Sequence, residues 1–246
     1  MTARRPSFKH LARAAVVASI ALIGLTLPDV DDAEAKPSNK QSSKSCNPQK
    51  PQSSLIRKAW LPRAGATAKD VKRRQSAHQK AVRYRIEHYG YVDGFGSKDW
   101  NPHPPTYYGE DTTFFGIGLR MHKRVVPALS CVEKEIRKSC KSTPYTPKGY
   151  STYRDHNTYR GGEITNHLFG IALDIDSERN PCCGCVDPWP DNPRCQDKKK
   201  SVYDRMDMPK CWVDTFEKYG FYWLGHDRLQ DTMHFEFLGK PEKILK

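Results

Sequence analysis

Apolar residues recur at helical spacing in two long stretches of the chain. From Ala66 to Tyr89, apolar Val71, Ala77, Ala81, Val82, Tyr84 and Ile86 stand among many basic residues and predict a helix, ended by Gly90. A second helix is expected from Val125 to Lys138, with Pro127 in its first turn and Leu129, Val132, Glu133 and Ile136 at helical spacing. The stretch between them from Gly94 to Pro105 is rich in Gly, Pro and Asn and reads as loop. A shorter helix is expected from Val213 to Tyr219, stopped by Gly220. Elsewhere the period changes to two. Ile171 to Asp176 alternates apolar and polar, which predicts a strand with Asp174 and Asp176 on one face and Leu173 and Ile175 on the other. Met233 to Phe237 alternates likewise and puts His234 and Glu236 on one face.

The N-terminal part departs from both patterns. Basic Arg4, Arg5, Lys9 and Arg13 precede an apolar stretch from Ala14 to Leu27, and Ala33-Glu34-Ala35 offers small residues for cleavage. Residues 1–35 therefore read as a signal peptide, because the apolar stretch is shorter than the about 20 residues of a membrane span. An uncleaved anchor is the alternative. Residues 36–54, rich in Lys, Ser, Asn, Gln and Pro, cannot bury a core and are expected to be a disordered linker. Residues 55–246 remain as the folded domain. No second apolar run occurs, so no membrane span is expected after cleavage.

Export changes how the cysteines and the charge are understood. All eight cysteines follow residue 35, and an even count in an exported chain points to disulfides. Cys182, Cys183, Cys185, Cys195 and Cys211 cluster in and after an aperiodic insertion at residues 177–201. Their uneven spacing argues against a structural zinc knot. Eight cysteines allow on the order of a hundred pairings, of which Cys131–Cys140 is the one expected here. The net charge of +13 belongs to the mature part, since the first 35 residues carry as many acids as bases. Outside the cytoplasm a basic protein meets anionic wall polymers, lipid headgroups and peptides. No nucleic-acid motif accompanies the charge.

Two stretches could carry chemistry. One runs from Asn166 to Asp176, the other from Asp231 to Phe237. If the two strands lie side by side, His167, Asp174 and His234 converge, and two imidazoles with one carboxylate leave an open position on one zinc ion. Gly170 permits the turn that folds His167 back over Asp174. Asp231 can approach as a proton acceptor without ligating. His156 and His226 are the rival ligands, both in loop-like surroundings. Glu236 can orient an imidazole or face solvent.

These residues resemble the zinc D-alanyl-D-alanine carboxypeptidases and the related L-alanyl-D-glutamate endopeptidases. His167, Gly170, Ala172 and Asp174 match the first signature of that family. Asp231, His234, Phe235 and Glu236 match the second, and Tyr219 to Trp223 resembles its lead-in. Tyr153-Arg154 resembles the Tyr-Arg pair whose Arg contacts substrate. The resemblance spans about residues 110–240. It implies that His167, Asp174 and His234 are ligands, Asp231 the catalytic acid and base, and Arg154 a substrate-binding cation. It also implies an α+β fold, with a small antiparallel sheet carrying the zinc site and helices packed on one face. Asn166 stands where the family has Ser, Leu224-Gly225-His226 replaces a Gly-Gly pair, and the Cys-rich insertion has no counterpart. The expected function is hydrolysis of amide bonds in peptidoglycan peptides, in the periplasm or outside the cell, by a carboxypeptidase-like enzyme. The alternatives are endopeptidase specificity and a non-catalytic wall-binding protein of the same fold.

Overall fold

The computed structural model describes residues 45–61, 64–159, 163–186 and 189–246. The expected signal peptide lies outside the described residues, as does the first part of the expected linker.

The helices form where the apolar spacing places them. Helix α1 spans Ala68–Tyr89, with the Thr67 hydroxyl accepting from the Asp70 backbone N–H and Gly90 closing the far end at φ 112°. Helix α2 spans Val126–Ser139 with Pro127 in its first turn. Helix α3, Pro193–Gln196, is a single turn inside the insertion, and α4 spans Lys210–Lys218. Strands β1 (Gly109–Phe114) and β2 (Ile117–His122) make a hairpin that closes through Phe115 and Gly116, both at positive φ.

The second sheet positions the site. Its strands are β3 (Tyr150–Ser151), β4 (Ala172–Ile175), β5 (Phe221–Trp223) and β6 (His234–Phe237), in the spatial order β3-β4-β6-β5 and all antiparallel. Leu173 pairs with Phe235, and Phe235 with Trp223. Alternation puts these three on one face with Phe221 and Phe237. That face meets α2 and α4; Phe216 of α4 stacks on Phe235 at 4.2 Å between ring centroids. Truncating a ring such as Phe235 to Ala would cost about 3–5 kcal/mol. The opposite face carries Ala172, Asp174, His234, Glu236 and Tyr222. Here the expectation of helices on one face needs correction. Ala81 and Tyr84 of α1 pack with Tyr222, Leu55 and Trp60 in a second apolar cluster. The whole of β4 and β6 is consequently buried, on both faces.

Three further expectations change. The alternation stops at Ile175. Asp176 turns out of the strand at φ 44°, and its carboxylate accepts from the Lys148 and Gly149 backbone N–H groups and from the Tyr145 hydroxyl, at 2.6–2.8 Å. It braces the turn before β3 instead of continuing the strand. Residues 45–54 of the expected linker pack on the domain, through a Cys46–Cys131 disulfide and backbone bonds from Asn47, Gln49 and Gln52 to the C-terminal segment and the end of α4. Composition hides this because one covalent bond substitutes for apolar burial.

The pairing of Cys131 with Cys140 is replaced by Cys46–Cys131 and Cys140–Cys211. Cys131 and Cys140 are separated by about nine residues of helix, roughly 13 Å of rise. A disulfide spans no more than about 7 Å between Cα atoms. The other bridges, Cys182–Cys185 and Cys183–Cys195, knit the insertion, and no cysteine is free. No helix among the described residues is long and apolar enough to cross a membrane.

Candidate metal centre

Asp174 and His234 face each other because β4 and β6 pair in a register that sets them opposite. His167 arrives from the short helical turn Asn166–Phe169, which the Thr165 side chain caps and Gly170 ends at φ 64°. Only a residue without a Cβ fits position 170. Besides the left-handed backbone, a Cβ there would lie 2.0 Å from the Tyr153 ring. Tyr153 donates to the Pro105 carbonyl, so the ring that closes over Gly170 is itself anchored.

The three side chains meet at one point. His167 Nε2 lies 3.1 Å from Asp174 Oδ2 and 3.2 Å from His234 Nδ1, while His234 Nδ1 lies 2.8 Å from Asp174 Oδ1. All three residues are buried. Each imidazole is held from behind. The Nδ1 of His167 contacts the Thr152 carbonyl, and Nε2 of His234 lies 3.2 Å from Glu236 Oε1. A carbonyl and a carboxylate can only accept, so each ring directs its proton there and a lone pair toward its partner. In that tautomer two nitrogen lone pairs converge on a carboxylate. That arrangement calls for a cation, and the residues fit zinc in donor type and number. Burial opposes a charge on the His234 ring, but Asp174 and Glu236 outweigh it and pull the imidazole up to about 10. Burial likewise opposes ionisation of Asp174, and the two histidines reverse it, holding the carboxyl far below the usual range. Each shift records the same demand for positive charge.

Asp231 sits beside this cluster in a loop. It is half-buried as a residue, yet its Oδ1 is shielded and has no hydrogen-bond partner among the described residues. Burial above all, together with the negative charges of Asp174 and Glu236, pushes its carboxyl up to about 7, against the opposing pull of His234 and Arg154. Arg154 donates from Nη2 to Asp174 Oδ2 at 2.7 Å and from Nη1 to the Thr158 hydroxyl at 3.0 Å. Asp174, His234, Asp231 and Arg154 all line a cleft of about 1040 Å³, whose further wall includes Gly184, Cys185, Val186 and Trp189 of the insertion.

The structure thus brings together every residue singled out for the metal, for proton transfer and for substrate. It separates the two rivals. His156 is exposed beside Asp155, and His226 pairs with Glu217 at 3.0 Å, neither of them with the cluster. Cys182, Cys185 and Asp231 also lie close enough to suggest a metal group, but both sulfurs are spent in one disulfide. Sequence reading missed Tyr159, which lines the cleft, and Arg85, which reaches the back of the site from α1. Neither carries a signal in its spacing. No curated protein and no solved structure matches the chain. Residues 159–237, which contain His167, Asp174, Asp231 and His234, match the family model described as D-alanyl-D-alanine carboxypeptidase.

Proposed function

We propose that the chain is an exported zinc peptidase that hydrolyses an amide bond in peptidoglycan stem peptides, with the specificity of a D-alanyl-D-alanine carboxypeptidase. One observation carries the reading. His167, Asp174 and His234 converge, and Asp174 and His234 open onto the same cleft as Asp231, whose shielded carboxylate oxygen has no hydrogen-bond partner among the described residues. His167, Asp174 and His234 hold the metal. When bound, zinc supplies Lewis acidity toward a carbonyl oxygen and toward water.

The rest of the chemistry falls to the chain itself. Asp231, whose shielded Oδ1 lies beside the cluster at the cleft, is placed to take a proton from the attacking water and return it to the departing amine. Arg154 offers its guanidinium at the cleft, where it binds a carboxylate or carbonyl oxygen of the peptide. The acid that faces Arg154 here, Asp174, fixes its position beside the reacting bond. Disulfides suit an oxidising compartment, and the charge of +13 suits an anionic wall.

Incubating the purified, oxidised, zinc-loaded chain with defined muropeptides and reading product masses tests this directly. Loss of one terminal alanine is expected. Release of a longer stem fragment would assign the endopeptidase specificity instead. No cleavage of any stem-peptide bond by zinc-loaded protein would favour a wall-binding protein.

A further inference from the structure

Among the described residues no acid pairs with the Arg85 guanidinium at contact distance; its hydrogen bonds go to two backbone carbonyls and one amide. Arg85 lies on α1, 3 % exposed, far in sequence from every metal ligand and outside the stretch that matches the peptidase family. A buried guanidinium is costly unless it is paired and fully hydrogen-bonded. Two of its nitrogens are satisfied by backbone, Nη1 by the Ala81 carbonyl at 3.1 Å and Nη2 by the Leu55 carbonyl at 3.0 Å. Its face lies 5.2 Å from the Trp60 ring centroid. These contacts would serve a purely structural role. The third does something else. Arg85 Nε donates to Asn166 Oδ1 at 2.7 Å, and both groups are buried. The Asn166 amide in turn lies by the Glu236 carboxylate, with which it lines a small cavity and whose charged form it favours, and Oε1 of that carboxylate lies 3.2 Å from Nε2 of His234.

The direction of that chain is fixed by chemistry. A guanidinium has donors only, so it fixes which end of the Asn166 amide faces it. The carbonyl end turns to Arg85 and the N–H₂ end to Glu236. A flipped amide would set an oxygen against a carboxylate and a donor against a donor. The Glu236 carboxylate is thereby oriented, and with it the ring whose other nitrogen faces Asp174. Asn166 also begins the turn that carries His167, and its backbone carbonyl accepts from Gly170 and Ile171. Asn166 thus adjoins both imidazoles, His234 through its side chain and Glu236, and His167 through the backbone of the turn.

We propose that Arg85 and Asn166 are positioning residues of the metal centre, acting on His234 through Glu236. The proposal rests on His167, Asp174 and His234 being a zinc site. A helix outside the matched peptidase stretch would in this way set the metal affinity of the strands within it.

Zinc affinity, measured by competition with a chromophoric chelator, tests this on the oxidised chain, with the melting temperature of the metal-free protein recorded alongside. Asn166→Ala is expected to weaken zinc by about 10–100-fold, the usual consequence of losing a group that orients a ligand. Asn166→Ser keeps a hydroxyl that can accept from Arg85 and donate to Glu236, and is expected to recover part of the loss. Arg85→Met should follow Asn166→Ala; if it fails to fold, the Asn166 pair decides alone. A folded Asn166→Ala protein that melts lower without zinc but binds zinc as tightly as the parent would overturn the proposal and leave a structural role. Equal affinities in the Ala and Ser variants, both at the parent value, would do the same. A parent chain that binds no zinc would overturn the metal-site reading itself, so the two failures are distinguishable.

Discussion

His234 lies in β6, hydrogen-bonded to β4 on one side and β5 on the other, with buried neighbours on both faces. Asp231, shortly before it, lies outside any strand. Its loop is strapped to the Cys-rich insertion by bonds from Gly184 N–H to the Leu229 carbonyl at 2.6 Å and from Cys183 N–H to the Gln230 carbonyl at 3.3 Å. The Thr232 hydroxyl donates to the Pro181 carbonyl at 2.9 Å, and Trp223 Nε1 to the Thr232 carbonyl, also at 2.9 Å. A side chain at position 184 would meet the Leu229 carbonyl oxygen at 2.5 Å, so the close approach needs Gly184. Sheet register places two of the three proposed ligands, Asp174 and His234, whereas a covalently knitted insertion holds the loop of Asp231, the proposed proton carrier. The two regions should therefore respond differently to perturbation: the first loses metal, the second loses rate.

Removing zinc with a chelator should have the largest effect. Stem-peptide hydrolysis should vanish and return on adding one equivalent of zinc, followed by product mass. Next comes Asp231→Asn, which keeps the shape of the side chain but removes the base. The hydrolysis rate should fall by roughly 10²–10⁴-fold while zinc content stays at the parent value. Loss of zinc in this variant would mean that Asp231 ligates and that the comparison is drawn in the wrong place. A smaller effect is expected from Cys182→Ser combined with Cys185→Ser. Freeing the strap should lower kcat by about 10-fold, up to about 10²-fold, the scale of a slight misplacement of a reacting group. Zinc affinity should not move, and a parallel drop in both would show that the insertion supports the sheet as well.

The smallest effect concerns pH and the metal-free protein. Asp231 is raised from 3.8 to about 7, so the folded state binds more protons than the unfolded state between those values, and this group's contribution to stability falls as pH rises through that window. His234 is raised from 6.5 to about 10, so its stabilising contribution is complete below 6.5 and is lost as pH rises toward 10. Melting temperatures of the metal-free chain should accordingly decline from neutral pH to pH 9. With zinc bound the His234 lone pair is occupied, and the decline should shrink or reverse, because metal binding competes with protons. Identical slopes with and without zinc would contradict the assignment of His234.

The same contrast explains what could be read from the chain alone. Residues whose positions follow from periodicity were legible. His234 and Glu236 do share a face, and Asp174 does lie opposite His234, because a strand alternates and two paired strands keep register. The helices were legible to within about three residues for the same reason. Asp176 was not, since the alternation carries no mark of where the backbone turns to φ 44°. The disulfides were legible as a class but not as pairs: Cys46 reaches Cys131 only through the packing of a segment whose composition reads as linker. Arg85 was hidden among the many basic residues of α1; only the fold distinguishes it from its exposed neighbours. The candidate site residues were found, by strand alternation or by resemblance to a motif, and supports such as Arg85 that arrive from other elements were not.

Calorimetric titration of zinc into the metal-free, oxidised chain and into its His234→Ala variant bears most directly on the central claim that His167, Asp174 and His234 hold one zinc ion. The parent should bind one zinc per chain with protons released as the ring gives up its own, and the variant should show no comparable site. Binding of equal affinity and stoichiometry in both, or no binding in the folded parent, would contradict the account.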